Sequence, residues 1–137
     1  MSLLSTREAS GAGVASEAAA RLMHRCRVLA QCTEKPGEIL RTFLSPAMDE
    51  VHRSMRPWLE AAGILVIVDR AGNLRGLYPA DGNENAPRLL IGSHLDTVPN
   101  AGAYDGVLGV LMGLALVEAS GERKYPFAIE VLGLDRL

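Results

Sequence analysis

The stretch from Arg88 to Gly133 constrains the fold most. Arg88 to Ser93 contains the compact apolar run Leu89-Leu90-Ile91, which predicts a strand buried on both faces. A loop from His94 to Tyr104 follows, then a helix opening at Asp105 or Gly106 and running to about Ser120. Tyr125 to Gly133 reads as a second buried strand. Strand, helix, strand is the crossover unit of a parallel sheet, so the second half is α/β. The longest apolar run, Val107 to Val117, includes Gly109 and Gly113 and falls well short of the ~20 residues that span a bilayer. It reads as a buried helix.

Upstream, Ala15, Ala18, Ala19, Leu22, Cys26, Leu29 and Ala30 recur at spacings of three and four, which predicts a helix ending near Gln31. Residues 1–14 lack a sustained period and are expected to form a flexible N-terminus, with one catalytic-domain segment over 15–137. Ser45-Pro46 marks a helix start, since Ser can cap free amides and Pro tolerates the first helical position. Met48, Val51, Met55, Trp58, Leu59 and Ala62 form that helix's apolar stripe, and Gly63 is placed to cap its end. Ile64 to Val68, the turn Ala71-Gly72-Asn73 and Leu74 to Tyr78 then predict a β-hairpin. With 137 residues the chain has room for one domain, and 48% hydrophobic residues can supply its core.

A formal charge of −2 gives no field to steer the chain to nucleic acid or anionic lipid, so no nucleic-acid and no membrane partner is expected. Cys26 and Cys32 make neither a zinc framework nor a disulfide scaffold, and Met1 to Ala20 has no signal-peptide pattern, so a cytoplasmic location is expected. His24 and His52 lack a partner at metal-motif spacing and are read as partly exposed helix residues. Cys26, Trp58, Met48 and Met55 are read as core. Gly102, Gly106 and Gly109 do not have the spacing of a dinucleotide fingerprint.

The chemistry lies in Gly92-Ser-His-Leu-Asp-Thr-Val-Pro-Asn-Ala-Gly-Ala-Tyr-Asp-Gly106, just past the C-terminal end of a strand, where open α/β sheets bind ligands. His94 can offer an imidazole nitrogen to a metal, and Asp96 can accept the other ring N–H and so fix the tautomer. Asp105, eleven residues on, can be carried back beside the imidazole by the loop. The competing reading makes Asp105 an N-cap and the others turn residues. Two ligands are in any case too few for a catalytic zinc site, which takes ~3 plus water.

These residues resemble a known family, the metal-dependent amidohydrolases that include allantoate amidohydrolase and N-carbamoyl-L-amino-acid hydrolase, within the aminoacylase/carboxypeptidase superfamily. Arg41-Thr-Phe-Leu-Ser-Pro-Ala47, Ala61-Ala-Gly63, Asp69-Arg-Ala-Gly-Asn73, Gly92-Ser-His-Leu-Asp-Thr-Val98 and Tyr104-Asp-Gly106 occur in the family's order, over about residues 20–133. The resemblance implies the N-terminal part of a mostly parallel-sheet catalytic domain holding two divalent ions, zinc or manganese. By the same resemblance His94 binds one ion, Asp105 bridges both, and Asp96, the catalytic candidate, orients His94. A metal-bound water would then attack the carbamoyl carbon of a small ureido acid.

The family's paired Glu-Glu motif, later histidine ligands and dimerisation domain have no counterpart here, since Phe127 to Gly133 leads only to Leu134-Asp-Arg-Leu137. The chain is therefore expected to be an inactive fragment alone, with weak or partial metal binding, while complete members would be homodimers. The alternatives are a non-catalytic module that needs a partner chain, and a peptidase or aminoacylase of the same superfamily.

Overall fold

The structure, a computed structural model, describes residues 3–136, with side chains from residue 11 onward. Seven elements follow in order: α1 (Leu3–Leu29), α2 (Pro46–Ala61), β1 (Leu65–Val68), β2 (Leu74–Tyr78), β3 (Arg88–His94), α3 (Val107–Ser120) and β4 (Ala128–Leu134). The α/β class and the hairpin agree with the sequence reading. The sheet order is β1-β2-β4-β3, with β3 parallel to β4 and the other two pairings antiparallel.

Helix α1 begins at Leu3, so residues 3–14 are helical backbone and not the loose terminus expected from their missing period. No proline interrupts them, so the sequence does not forbid helical backbone there. Gly11 to Glu17 are exposed, whereas Cys26 and Leu29 are fully buried. Arg25 ties this buried half to α3, its guanidinium donating to both carboxylate oxygens of Glu118 at 2.8 and 3.0 Å.

Helix α2 starts and stops as its sequence predicts. The Ser45 hydroxyl accepts from the Met48 amide at 3.2 Å. At the other end Gly63, at φ +80°, lets its amide reach Glu60 O and that of Ile64 reach Leu59 O, the paired bonds of a Schellman motif.

Gly76 and Val131 stand opposite each other in the β2–β4 register. A Cβ on Gly76 would meet Leu59 and Ile64, and one on Gly113 of α3 would meet Val131 and Ile91, so α2 and α3 cover the same sheet face. The core lies between that face and the helices, with Leu29, Met48, Val51, Met55, Leu59, Leu74, Leu111 and Leu114 nearly inaccessible.

On the other face the register aligns Leu65, Leu77, Glu130 and Leu90 in one row and Ile67, Arg75, Leu132 and Gly92 in the next. No described element covers them. Leu65, Ile67 and Leu90 are 62%, 58% and 59% exposed. Glu130 is nevertheless buried, because Arg75 Nε (2.6 Å) and Arg88 Nη1 (3.0 Å) both donate to its carboxylate.

Two burial expectations are corrected by this arrangement. Strand β3 is not enclosed on both faces: it is the sheet's edge, and its apolar run reports what it can pack against, not what is there. Helix α3 is not buried all round either, since Met112 and Leu116 point away from the sheet and are largely exposed. The accessible surface is 8378 Å², against roughly 6,900 Å² for a compact monomer of this mass. No helix among the described residues is long and apolar enough to cross a membrane.

Candidate functional site

Strand β3 delivers His94 to its C-terminal end, and the loop beyond it is held by three interactions. The Leu95 amide donates to Leu134 O at 2.7 Å, so the chain leaves the sheet beside the end of β4. Leu95 is fully buried and lies over Gly133, where a Cβ would come within 2.5 Å of its Cδ1. Thr97 then pairs with Arg41 both ways: the Thr97 amide donates to Arg41 O (2.8 Å) and the Arg41 amide donates to Thr97 Oγ1 (2.9 Å).

His94 is brought together with both aspartates. Its Nδ1 lies 2.8 Å from the backbone carbonyl oxygen of Asp96, which can only accept, so Nδ1 carries the proton. The Asp96 carboxylate is less close, its Oδ1 3.5 Å from Nδ1 and buried without a hydrogen-bond partner. The orienting contact therefore comes chiefly from the main chain of Asp96. The unprotonated Nε2 faces Asp105 Oδ2 at 3.8 Å, and the Asp105 side chain is half exposed.

Asp105 does not cap α3. Helix α3 has Gly106 in the capping position and no side-chain cap bond. Gly106, at φ +72° and ψ −55°, makes a classic γ-turn closed by the Val107 amide on Asp105 O at 2.8 Å. That turn reverses the chain directly before the helix and leaves the Asp105 carboxylate facing the imidazole. It also requires glycine, since a Cβ there would lie 2.6 Å from both Nδ1 and Cε1 of His94.

His94 Nε2 and Asp105 Oδ2 fit as two members of a divalent-cation ligand set. Metal–ligand bonds of ~2.0–2.2 Å put two ligand atoms of one ion about 3.3 Å apart, within a small side-chain adjustment of the 3.8 Å found. Among the described residues no group of three or more His, Cys, Asp or Glu is gathered to hold an ion. Two such side chains could at most form part of a ligand set.

Sequence reasoning missed three buried polar groups around the site. Arg41 is 1% exposed, and burial lowers its pKa from the usual guanidinium value. Asp135, directly after β4, is equally buried, with Oδ1 unpartnered. Burial raises its carboxyl above the usual range, against the Leu44 amide and His52, which favour the ionised form. His52, read as a partly exposed helix residue, is so in α2, but its Nε2 is buried without a partner, and burial lowers its pKa. None has a local signal, because each acquires its surroundings from distant segments. His24 is exposed, as read.

No protein-family model matches the chain. Allantoate deiminase 1 of Glycine max is 45% identical over 104 residues, 75% of this chain and 20% of that protein. The N-carbamoyl-L-amino-acid amidohydrolase of Pseudomonas sp. (strain NS671) is 36% identical over 100 residues, 72% of this chain and 24% of that protein. Among solved structures, a hydantoinase/carbamoylase family amidase from Burkholderia ambifaria superposes with a TM-score of 0.73 at 32% identity, covering 83% of this chain and 29% of that one. The chain thus spans a fifth to about a quarter of the length of the curated relatives it matches. Over about three quarters of its length, the chain is similar to the N-terminal part of allantoate deiminases and N-carbamoyl-L-amino-acid amidohydrolases.

Proposed function

We propose that this chain forms part of a metal-dependent hydrolase that cleaves the C–N bond of a ureido or N-carbamoyl acid, with allantoate and N-carbamoyl-L-amino acids as the substrate class. The observation that carries the reading is His94 Nε2 facing Asp105 Oδ2 across 3.8 Å, behind a γ-turn that keeps Asp105 out of the helix cap. The names of the relatives supply the substrate class.

In this reading His94 and Asp105 would hold divalent ions, zinc or manganese. Bound there, the ions would lower the pKa of water and polarise the carbamoyl oxygen. Asp96 keeps the Nδ1 proton of His94 engaged, so that Nε2 presents its lone pair. The general base and further ligands lie outside the residues described. A cytoplasmic location belongs to the same proposal and is supported by two thiols that remain free.

The test is hydrolysis of allantoate and N-carbamoyl-L-amino acids by the 137-residue chain with added manganese or zinc, beside His94→Ala. Turnover lost in the variant supports the reading and means that self-assembly or a partner completes the site. Turnover of dipeptides in preference to ureido acids would shift it to a peptidase. Titration calorimetry is expected to show weak or partial ion binding that His94→Ala abolishes.

A second reading, a non-catalytic assembly module, is favoured by the open edge of β3 and the uncovered sheet face. Self-association in sedimentation without any hydrolysis would support it.

A further inference from the structure

We propose that Arg41 is the positioning residue that sets the tautomer of His94. The proposal rests on the metal-ligand reading of His94 for its purpose, but not for its test. The Nδ1 proton is held chiefly by the carbonyl of Asp96, with the Asp96 carboxylate 3.5 Å away, so the tautomer depends on where the main chain of residues 95–97 lies. Arg41 fixes that main chain on both sides of Asp96. Its Nε donates to Leu95 O at 3.0 Å, and its own amide and carbonyl close the two-way pair with Thr97.

The guanidinium is anchored in turn at the end of α1, where Nη1 donates to Leu29 O and Cys32 O, each at 3.2 Å. A cation is favoured there, because Leu29 O, which also accepts the Cys32 amide at 3.0 Å, lies at the negative end of the α1 dipole. This offsets part of the cost of burying a charge that contacts no carboxylate. Asp96 supplies an attractive field from beyond contact distance. A rigid link thus runs from the last turn of α1 through Arg41 to the ring of His94.

A neutral imidazole loses this preference once the acceptor at Nδ1 moves away. Lysine at position 41 keeps the charge but cannot span Leu95 O and the carbonyls of Leu29 and Cys32 with one planar group. Thr97→Val cuts the side-chain half of the Thr97 pair and leaves the buried cation in place.

The experiment is imidazole ¹⁵N–¹H correlation spectroscopy on the metal-free 137-residue chain, His94 being assigned by its loss in His94→Ala. The Nδ1–H form is expected to dominate in the parent chain. In Arg41→Lys and in Thr97→Val the ratio of Nδ1–H to Nε2–H should fall roughly tenfold, the effect of losing one hydrogen bond. Ser45→Ala, which weakens α2 at a comparable cost in stability, should leave the ratio unchanged. An unchanged ratio in a folded variant, judged by its amide spectrum, overturns the proposal. Should Arg41→Lys fail to fold, Thr97→Val decides it in the same terms. The metal reading is judged separately, by whether His94→Ala alters zinc binding, so the two can fail independently.

Discussion

Gly106 and His94 touch so closely that one added methyl group would overlap the imidazole, 2.6 Å from both Nδ1 and Cε1. Gly106→Ala also forces an L-residue to φ +72°. Overlap and backbone strain together should destabilise the fold by about 3 kcal/mol in urea titrations. At Gly63, by contrast, a Cβ would meet only Tyr78 at an ordinary 3.7 Å, so Gly63→Ala should cost about 1 kcal/mol, from backbone conformation alone. Equal costs would mean that Gly106 is not packed against the histidine.

Acid should attack the open sheet face through Glu130. Burial pushes its pKa up, but the hydrogen bonds from Arg75 and Arg88 outweigh this and hold it below the usual value. A depressed folded pKa contributes stability above the unfolded value, ~4.3, which is lost as pH falls through the folded one. Glu130→Gln should therefore lower stability at pH 7 by about 1 kcal/mol, the arginines being half exposed and readily solvated. The gap between variant and parent should close as pH drops below ~4. A gap that persists at pH 3 would rule out this ion cluster as its source.

Asp135 works in the opposite sense. Its raised carboxyl means that the folded state favours the protonated form, so the residue costs stability as pH rises through the folded pKa. Asp135→Asn removes a buried charge whose Oδ1 has no partner, and should stabilise the chain by about 1 kcal/mol at pH 7. The gain should shrink on acidification towards ~3.9, the ordinary aspartate value. A thermal melt lowered at pH 7 would show that the ionised carboxylate is held by more than the Leu44 amide.

Cys26 and Cys32 are buried, and burial raises both thiols above their usual value. Neither should react with a disulfide reagent at pH 7.5 until denaturant is added, when both should react at once. Rapid labelling of Cys32 alone would place the end of α1 in a locally open state.

Much of this architecture is legible in the chain itself, and the reasons differ by element. Helix α2 announces both ends, because Ser45, Pro46 and Gly63 act within a few residues of themselves. The hairpin and the β3–α3–β4 crossover follow from short β-branched or apolar runs separated by turn residues. The antiparallel pairing of β2 with β4 has no such signature, since it joins segments more than fifty residues apart. At the site, the spacing of His94 and Asp105 is legible. The main-chain origin of the Nδ1 contact, the γ-turn at Gly106 and the part played by Arg41 are not, because each depends on backbone placement or on partners up to 56 positions away.

The one-sided layering of the sheet has a calorimetric consequence. The heat capacity of unfolding tracks the apolar surface that becomes wet, and Leu65, Ile67 and Leu90 are already wet in the native state. A conventional domain of this length would show a change of about 1.6–2 kcal/mol/K. This chain should fall below that range, melt over a broader interval and show a flatter stability curve. Any surface that dries Leu65, Ile67 and Leu90 would restore the missing heat capacity in proportion to the area it covers.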